Sequence, residues 1–555
     1  MKKYIILITV MLLLTSCSSV KEAIMAGTME GPVIEINRRE EIEEDKLRSY
    51  TYINEKVAFP ADLNTGLNPI ETKSRYNMQW MPLVYLPLVK LDNKFSPQFC
   101  IASEYKAENE YEVWSFTIDT SIQRHDGVNV TANDVAESVK KIKNTADGYY
   151  FSRMKNVAKI EVSDDKVIFT LTEPNRFFPQ LCDFPILSYD GNAVKENVGT
   201  GPYKLAEKDG KIFLLRKELK ALPADDVKRS SGAKNIETIE LIDIKNRDDM
   251  LNMLSQSELD ALISVSSEDT APFHMGNFMP YTGLSNRLIF IGVNFNNKLL
   301  SNQSIRQAIS LALDRYGMTN SVFNGQASAV SLPLNPAWEH YIKGNSRINS
   351  DTKAVDGIMQ SFNYIKDEYG IYRTNDSKRE QISLNLVVNY ENTKRTKLAE
   401  EVKRQLYISG IEAVITEYNY NDYINALKAG NFDLYLGEIT LPGDMNVSNL
   451  IEQKSEQNYG KCTAVGYINA LKDFNRGIVS VGETSGYAWD EINSAAPSMK
   501  EQLSILNDIF LEELPIIPLM TASSVLYVPK NITVDSGNKT YFYGYGSVEQ
   551  WLITT

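Results

Sequence analysis

Few residues in this chain have the type and spacing for chemistry, and the first of them is Cys17. It follows Leu14-Thr15-Ser16 at the end of an apolar leader that opens with Lys2 and Lys3. A small residue before a cysteine, after an apolar run too short to span a bilayer comfortably, is the pattern of a bacterial lipobox. There the thiol is acylated and becomes the first residue of the mature chain. Two or more acyl chains anchor stably, since each buried CH₂ contributes about 0.8 kcal/mol. An ordinary export signal with an incidental cysteine is the alternative reading. Ser138-Val139-Lys140-Lys141 has the Ser-x-x-Lys spacing of an acyl-transfer nucleophile and its base. However, Val135, Val139 and Ile142 define the inward face of that helix, and no Ser-Asp-Asn or Lys-Thr-Gly partner occurs. No Gly-x-Ser-x-Gly elbow or His-Glu-x-x-His segment is present either, so no catalytic residue is expected.

The remaining candidates read as structure. His125-Asp126-Gly127 fits a tight turn before a capped helix better than a catalytic histidine. Gly199, Gly201 and Pro202 lack the Lys-Ser/Thr of a phosphate-binding loop and read as a turn entering a strand. Arg306 and Asp314-Arg315, on an amphipathic helix, read as a surface or interlobe salt bridge rather than ligand contacts. His125, His274 and His340 stand alone, so neither a metal centre nor a cofactor is expected. Cys100, Cys182 and Cys462 are far apart and in no metal spacing. They read as buried free thiols, with a Cys100–Cys182 bridge as the alternative.

With residues 1–16 removed, the length suggests two to four domains at about 150 residues each. The net charge of −13 becomes more negative when Lys2 and Lys3 leave with the leader. Such a surface argues against nucleic acid and against anionic lipid head groups. No second apolar run approaches membrane-spanning length, which leaves an acyl group as the only anchor. The run Arg38-Arg39-Glu40-Glu41-Ile42-Glu43-Glu44-Asp45 reads as part of a solvated tether.

Strand and helix patterns then alternate. Trp114, Phe116 and Ile118 lie at strand spacing, as do Val167, Phe169 and Leu171. Thr131-Ala132-Asn133-Asp134 resembles a capping box before Val135, Val139 and Ile142. Residues 236–244, 248–255 and 261–265 read as a βαβ-like unit with Met250, Leu251 and Leu254 inward. Leu288 to Val293 is a nearly continuous apolar strand, and Ile305, Ile309, Ala312 and Leu313 share a helical face. Strands are expected over 382–388, 411–416 and 432–436. Between them, Leu398, Val402 and Leu406 mark a helix ending at Gly410, and residues 422–429 one ending at Gly430. This alternation implies mainly α/β lobes.

Several segments, in order, resemble the family-5 extracellular solute-binding proteins of ABC importers, the oligopeptide-binding type. They are Leu67-Asn68-Pro69-Ile70, Tyr85-Leu86-Pro87-Leu88-Val89, and Gln123 to Gly127 with Thr131 to Val135. Gly199-Thr200-Gly201-Pro202-Tyr203 follows, then Asn294 with Ile305 to Ser310 and Asp314-Arg315. Gly430 to Leu434 and Leu514-Pro515-Ile516-Ile517-Pro518 complete the series, which runs from about residue 60 to 520. The resemblance implies an α/β, two-lobed, periplasmic-binding-protein-like fold of class II type with an extra domain inserted in the first lobe. Residues 1–16 would be a signal peptide and 17–48 a lipid-anchored tether. Residues 49–75, 197–285 and 512–555 would form lobe I, 76–196 the insertion and 286–511 lobe II. The two crossings between lobes are expected near Ser285–Asn286 and Leu511–Glu513.

The implied function is capture of short peptides in a cleft that closes by hinge motion, followed by docking of this monomeric receptor on an ABC permease at the outer face of a membrane. In that branch an Asp in a Gly-Trp-x-Ala-Asp-Tyr segment meets the peptide's ammonium group. This chain departs there: in Gly437-Glu438-Ile439-Thr440-Leu441-Pro442, Leu441 replaces the Asp and Glu438 the Trp. Glu438 and Asp444 are therefore the candidate ammonium partners, because a buried unpaired charge costs several kcal/mol. Two solvated loop acids are the alternative. Trp338, behind the loop Leu332-Pro333-Leu334-Asn335-Pro336, and Thr440, Asn68 and Tyr85 complete the candidate ligand contacts. A non-peptide ligand (nickel chelate, haem, opine or sugar) remains open, as does a peptide-sensing lipoprotein that feeds no transporter.

Overall fold

The computed structural model describes residues 56–217, 234–264, 278–343, 349–478, 498–534, 544–546 and 548–553. Cys17, the leader, the tether with its charged run, and His274 lie outside the described residues.

Three sheets carry the molecule. The first orders Lys56–Ala61, Thr238–Asp243, Lys211–Arg216 and Tyr203–Lys208, with only the first pair parallel. The second is antiparallel and orders Ala102–Glu108, Val113–Ile118, Lys166–Leu171 and Val157–Ser163. Its pattern is the one alternation dictates: Trp114, Phe116, Ile118, Val167, Phe169 and Leu171 are buried, while their neighbours face out. The helix Ala132–Asn144 packs on this sheet. Thr131 and Asp134 cap it reciprocally, the Asp134 carboxylate accepting from the Thr131 N–H at 2.8 Å.

The third sheet has seven strands and is built on two long ones, Phe278–Val293 and Ile516–Pro529. These pair antiparallel along most of their length. Leu434–Thr440, Ser383–Asn389 and Glu412–Tyr418 extend the sheet on one side, and the short Leu262–Ile263 on the other. The helices Gln303–Leu311, Arg315–Phe323, Thr393–Ile408 and Tyr420–Ala429 belong to the same α/β half. The last ends at Gly430, whose φ of +74° is the left-handed turn that lets a helix stop.

Two large apolar cores result, and a smaller third cluster holds Ile244, Met250, Leu254, Leu262 and Val525. One large core joins Val57, Phe59, Leu241 and Trp551 to Trp114, Phe116, Phe169 and Phe178, so the second sheet shares a core with the first. The other surrounds the outer strands of the third sheet, from Leu288 and Val387 to Leu436 and Ile517.

Three expectations change. Residues 236–263 do not form a βαβ unit in one sheet, because Thr238–Asp243 joins the first sheet and Leu262–Ile263 the third. The helix between them, Arg247–Ser255, buries Met250 and Leu254 and packs a half-buried Leu251 against the same cluster, as expected. Leu511–Glu513 is the last turn of the helix Met499–Glu513, not a strand crossing. Arg306 and Arg315 form no surface ion pair. Arg315 is 0% exposed and donates to the carbonyls of Ser310 and Pro518, at 3.0 and 2.8 Å. Arg306 donates to the carbonyls of Leu300, Ser301 and Leu514. Each guanidinium thus satisfies carbonyls that end helices or loops, and burial draws both down to about 10, still protonated at neutral pH.

Cys100, Cys182 and Cys462 are free thiols, Cys100 half-buried and the others buried.

Candidate functional site

The long strands break register at two places, a one-residue slip between Ile289 and Phe290 and a wider break before Arg287. The pairing jumps from Leu284 opposite Ser523 to Arg287 opposite Ala522, leaving Ser285 and Asn286 outside the ladder. Their polar groups are met by side chains and by the Leu441 backbone instead. Asn335 donates to the Ser285 carbonyl and to Asn286 Oδ1, both at 2.9 Å. Asn286 accepts from the Leu441 N–H and donates through Nδ2 to the Leu441 carbonyl, each at 2.7 Å. Ser285 Oγ donates to the Ala522 carbonyl, and Arg287 Nη2 to that of Ser523 at 2.8 Å. One amide cluster therefore ties both crossing strands to Leu441, just past the strand Leu434–Thr440.

Beside this break, residues directly opposite one another share a face. Arg287 lies opposite Thr440, and Ile289 opposite Glu438, so these four face the same way. Thr440 is exposed and Glu438 half-buried. Arg395, in the first turn of the helix Thr393–Ile408, sits 3.3 Å from Glu438. Glu438 Oε2 and Arg395 Nε are buried without hydrogen-bond partners. Glu438 Oε2 is paired with Arg395 Nη2, and the two charges keep hydrogen-bonding capacity that a solute meets only once this face is opened to it.

Asp444 takes no part in that face. It is 7% exposed and accepts from Asn175 Nδ2 at 3.1 Å and from the Asn446 N–H at 3.2 Å. Burial pushes it up to about 6. Trp338 is buried against Phe177 and His340, with ring centroids 5.5 and 5.0 Å apart. Asn68 shapes a turn, its Oδ1 accepting from the Ile70 N–H at 3.0 Å. Tyr85, next to Pro69 in that region, is buried and lines a cavity of about 20 Å³. No hydrogen bond or ion pair among the described residues joins Asn68 or Tyr85 to Glu438 or Asp444. The six expected contacts thus fall into three places: Glu438 with Thr440, Asp444 with Trp338, and Asn68 with Tyr85.

The Asp444 region contains residues that sequence reasoning missed. Asn175, Arg176 and Phe177 enter the α/β half from the second sheet's side. The Arg176 backbone N–H donates to the Asn475 carbonyl at 2.9 Å. Its Nε donates to the Phe474 carbonyl and its Nη2 to Gln502 Oε1, both at 2.5 Å. The guanidinium lies 4.1 Å from the Phe474 ring centroid. The available signal was an arginine embedded in Asn175-Arg176-Phe177-Phe178-Pro179, where a cation among aromatics needs partners.

The family motifs serve as structure. His125 is held between two of them: its N–H donates to the Gly199 carbonyl at 2.8 Å, the Gly199 N–H to Nδ1 at 3.2 Å, and Nε2 lies 3.0 Å from the Gly201 carbonyl. Burial lowers its pKa. A Cβ on Gly199 would lie 2.0 Å from the Val84 carbonyl oxygen, and one on Gly201 2.1 Å from that of Leu83. These glycines permit close backbone approach. Ser138 is buried, donating to the Asp134 carbonyl at 2.7 Å and accepting from the Leu187 N–H at 2.9 Å. Among the described residues no group of three or more His, Cys, Asp or Glu is placed to hold a metal ion, and no helix is long and apolar enough to cross a membrane.

Two α/β lobes joined by paired crossing strands, with polar side chains gathered at the crossing, define a class II binding-protein fold. The model of the bacterial extracellular solute-binding proteins, family 5 Middle, matches residues 97–460, and the chain belongs to that family. It is 23% identical over 421 residues to the oligopeptide-binding protein AppA of Bacillus subtilis, covering 70% of this chain and 74% of the relative. The structure of AppA from Bacillus subtilis with a nonapeptide superposes with a TM-score of 0.61 at 19% identity, covering 90% of this chain and 99% of that one. NikZ from Campylobacter jejuni with Ni(L-His) gives 0.65 at 17% identity, covering 89% and 98%. Family-5 proteins are extracytoplasmic binding receptors of ABC importers rather than enzymes, each working with a small solute or peptide and a permease.

Proposed function

We propose that this protein captures short peptides for an ABC importer, closing two lobes about the break at Ser285–Asn286 and Ala522–Ser523. Cys17 would carry the lipid anchor that keeps it beside the permease, raising the local concentration of loaded receptor. The lobes are residues 49–75 with 197–285 and the C-terminal part, and 286 onward, with 76–196 inserted in the first. The second crossing would lie at Ala522–Ser523, opposite the first. The observation that carries the reading is the face beside that break, where Glu438 and Arg395 keep unused hydrogen-bonding atoms next to Thr440. A peptide supplies both an ammonium donor and carbonyl acceptors, and its extended backbone can lie along a strand edge. The relative named for oligopeptide binding supports the same class.

One observation favours a second reading, a non-peptide ligand. Leu441 replaces the family's acid, and Glu438 is already paired with Arg395. Thermal-shift measurement with mixed di- to octapeptide pools tests the proposal: ligand bound only by the folded state raises the unfolding temperature. A shift with a peptide pool supports peptide capture. No shift with any pool, alongside a shift with nickel–histidine or another non-peptide solute, overturns it.

A further inference from the structure

We propose that the seam formed by Asn175, Arg176 and Phe177 against the second lobe is a latch that holds the cleft shut without any solute, with Arg176 setting how firmly. The inference rests on the reading that the lobes close about the Ser285–Asn286 break.

The three residues act as one plug. Asn175 bonds Asp444, Arg176 bonds Phe474, Asn475 and Gln502, and Phe177 is buried among Trp338, His340 and Phe474. Asn175 Oδ1 also accepts from the Phe177 N–H at 2.9 Å, which fixes the plug's own shape. The second lobe is cut to receive it. Gly443 passes so close that a Cβ there would lie 2.4 Å from the Gln180 carbonyl oxygen and 2.7 Å from Leu91 Cδ1. Further along, the Glu339 N–H donates to the Lys94 carbonyl at 2.9 Å, and Lys155 donates to Asn449.

The seam is also built to part. Next to the plug lies a polar cavity of about 230 Å³, walled by Lys155 and Glu173 on one side and by Asn446, Glu452 and Lys472 on the other. Lys472 bridges Glu173 and Glu452 at 3.4 and 3.8 Å. Around this cavity the face tolerates water when separated, as interfaces between moving domains do, whereas Leu91, Phe95 and Phe177 supply an apolar part that favours contact. None of these contacts involves a ligand, so they bias the closed state whether or not the cleft is filled. The solute then has to supply only the remainder of the closing free energy.

The test compares wild type with Arg176→Ala, Arg176→Lys and Gly443→Ala, each stripped of retained solute by unfolding in guanidinium and refolding. Small-angle scattering without solute should give a compact wild type, a larger radius of gyration for Arg176→Ala and Gly443→Ala, and an intermediate one for Arg176→Lys, which keeps the charge but loses the fork. A merely structural role for Arg176 would lower the unfolding temperature and leave the radius unchanged, overturning the proposal. So would a wild type that is open alone and compacts only with the peptide pool. If neither variants nor peptides change the radius, the closure reading itself has failed. Should Arg176→Ala not fold, Gly443→Ala and Arg176→Lys decide the matter.

Discussion

Phe177 and Phe178 are consecutive, yet they are buried in different cores. Phe178 stacks edge-on with Phe169 and Phe116, at 5.5 and 6.2 Å, inside the first core. Phe177 meets Trp338 and Phe474, at 5.5 and 5.6 Å, inside the second. One peptide bond therefore joins the two halves, and Phe177 connects to the crossing strands through Trp338 and Asn335. Phe178→Ala should cost about 3–5 kcal/mol, because its site is walled by fixed sheet residues. Phe177→Ala should cost clearly less, since its site can refill with water if the halves part. Urea unfolding followed by tryptophan fluorescence measures both; equal losses would contradict the distinction.

Gly201 allows no side chain. A Cβ there would meet Leu83 O, Leu83 C and Val84 C within 3 Å, all backbone atoms that cannot rotate away. Gly201→Ala should destabilise by about 3 kcal/mol. His125→Ala, which loses side-chain contacts to Gly199 and Gly201 but creates no clash, should cost about 1–3 kcal/mol. Denaturant midpoints at constant m-value give the comparison.

Asp260 makes stability fall as pH rises. Its carboxylate accepts from the Ala58 N–H at 2.8 Å, and burial pushes it from 3.8 to about 6. Below the unfolded value the group is neutral in both states. As pH climbs from about 4 to 6 the folded state is held against ionisation while the unfolded state ionises freely, and above 6 both are ionised and the loss levels off. The loss between pH 4 and pH 7.5 is about 2 kcal/mol from this residue, and Asp444 acts in the same direction. Asp260→Asn keeps an acceptor for Ala58 and should flatten that slope. Unfolding free energies at pH 4.5, 6 and 7.5 decide it; identical slopes in variant and wild type would remove the assignment.

Glu438 is the residue to test for ammonium recognition. Glu438→Gln should weaken binding of a free-amine peptide about tenfold, the loss of about 1.4 kcal/mol from one charge-assisted contact. The N-acetylated peptide should be indifferent to the change. Asp444→Ala is also expected to weaken binding, here through the Asn175 contact rather than by touching the ligand. Calorimetric titration of both peptides separates the two effects, and unchanged affinity in Glu438→Gln excludes the side chain from the site.

Much of the framework was legible where one physical rule governs a short stretch. Trp114, Phe116 and Ile118 alternate because one face is dry, and Thr131 with Asp134 caps a helix through local bonds. Legibility failed where distance in sequence mattered. Arg306 and Arg315 looked like surface charge, because a sequence does not show the carbonyls of Leu514 and Pro518 converging on them. The segment 236–263 looked like one unit because local pattern does not say which sheet a strand joins. Of the candidate site, Glu438 and Thr440 were placed through their strand, whereas Arg395 and Asn175 act across separations that no motif records. Asp444 is held by the Asn446 N–H and by Asn175, a contact that no local pattern shows.

The last stretch of chain supplies the missing wall of both cores. Phe59 stacks on Tyr545 with ring centroids 4.0 Å apart, and Trp551 and Ile553 sit in the same cluster. Ile516–Pro529 pairs with Phe278–Val293 and also with Leu262–Ile263. Neither half can therefore complete its interior while the chain is still being synthesised from its beginning. Contacts of such high sequence separation are slow to form and come late. The second sheet and its helix can form early from residues 102–171, but the two halves cannot close their interiors until the last strands exist.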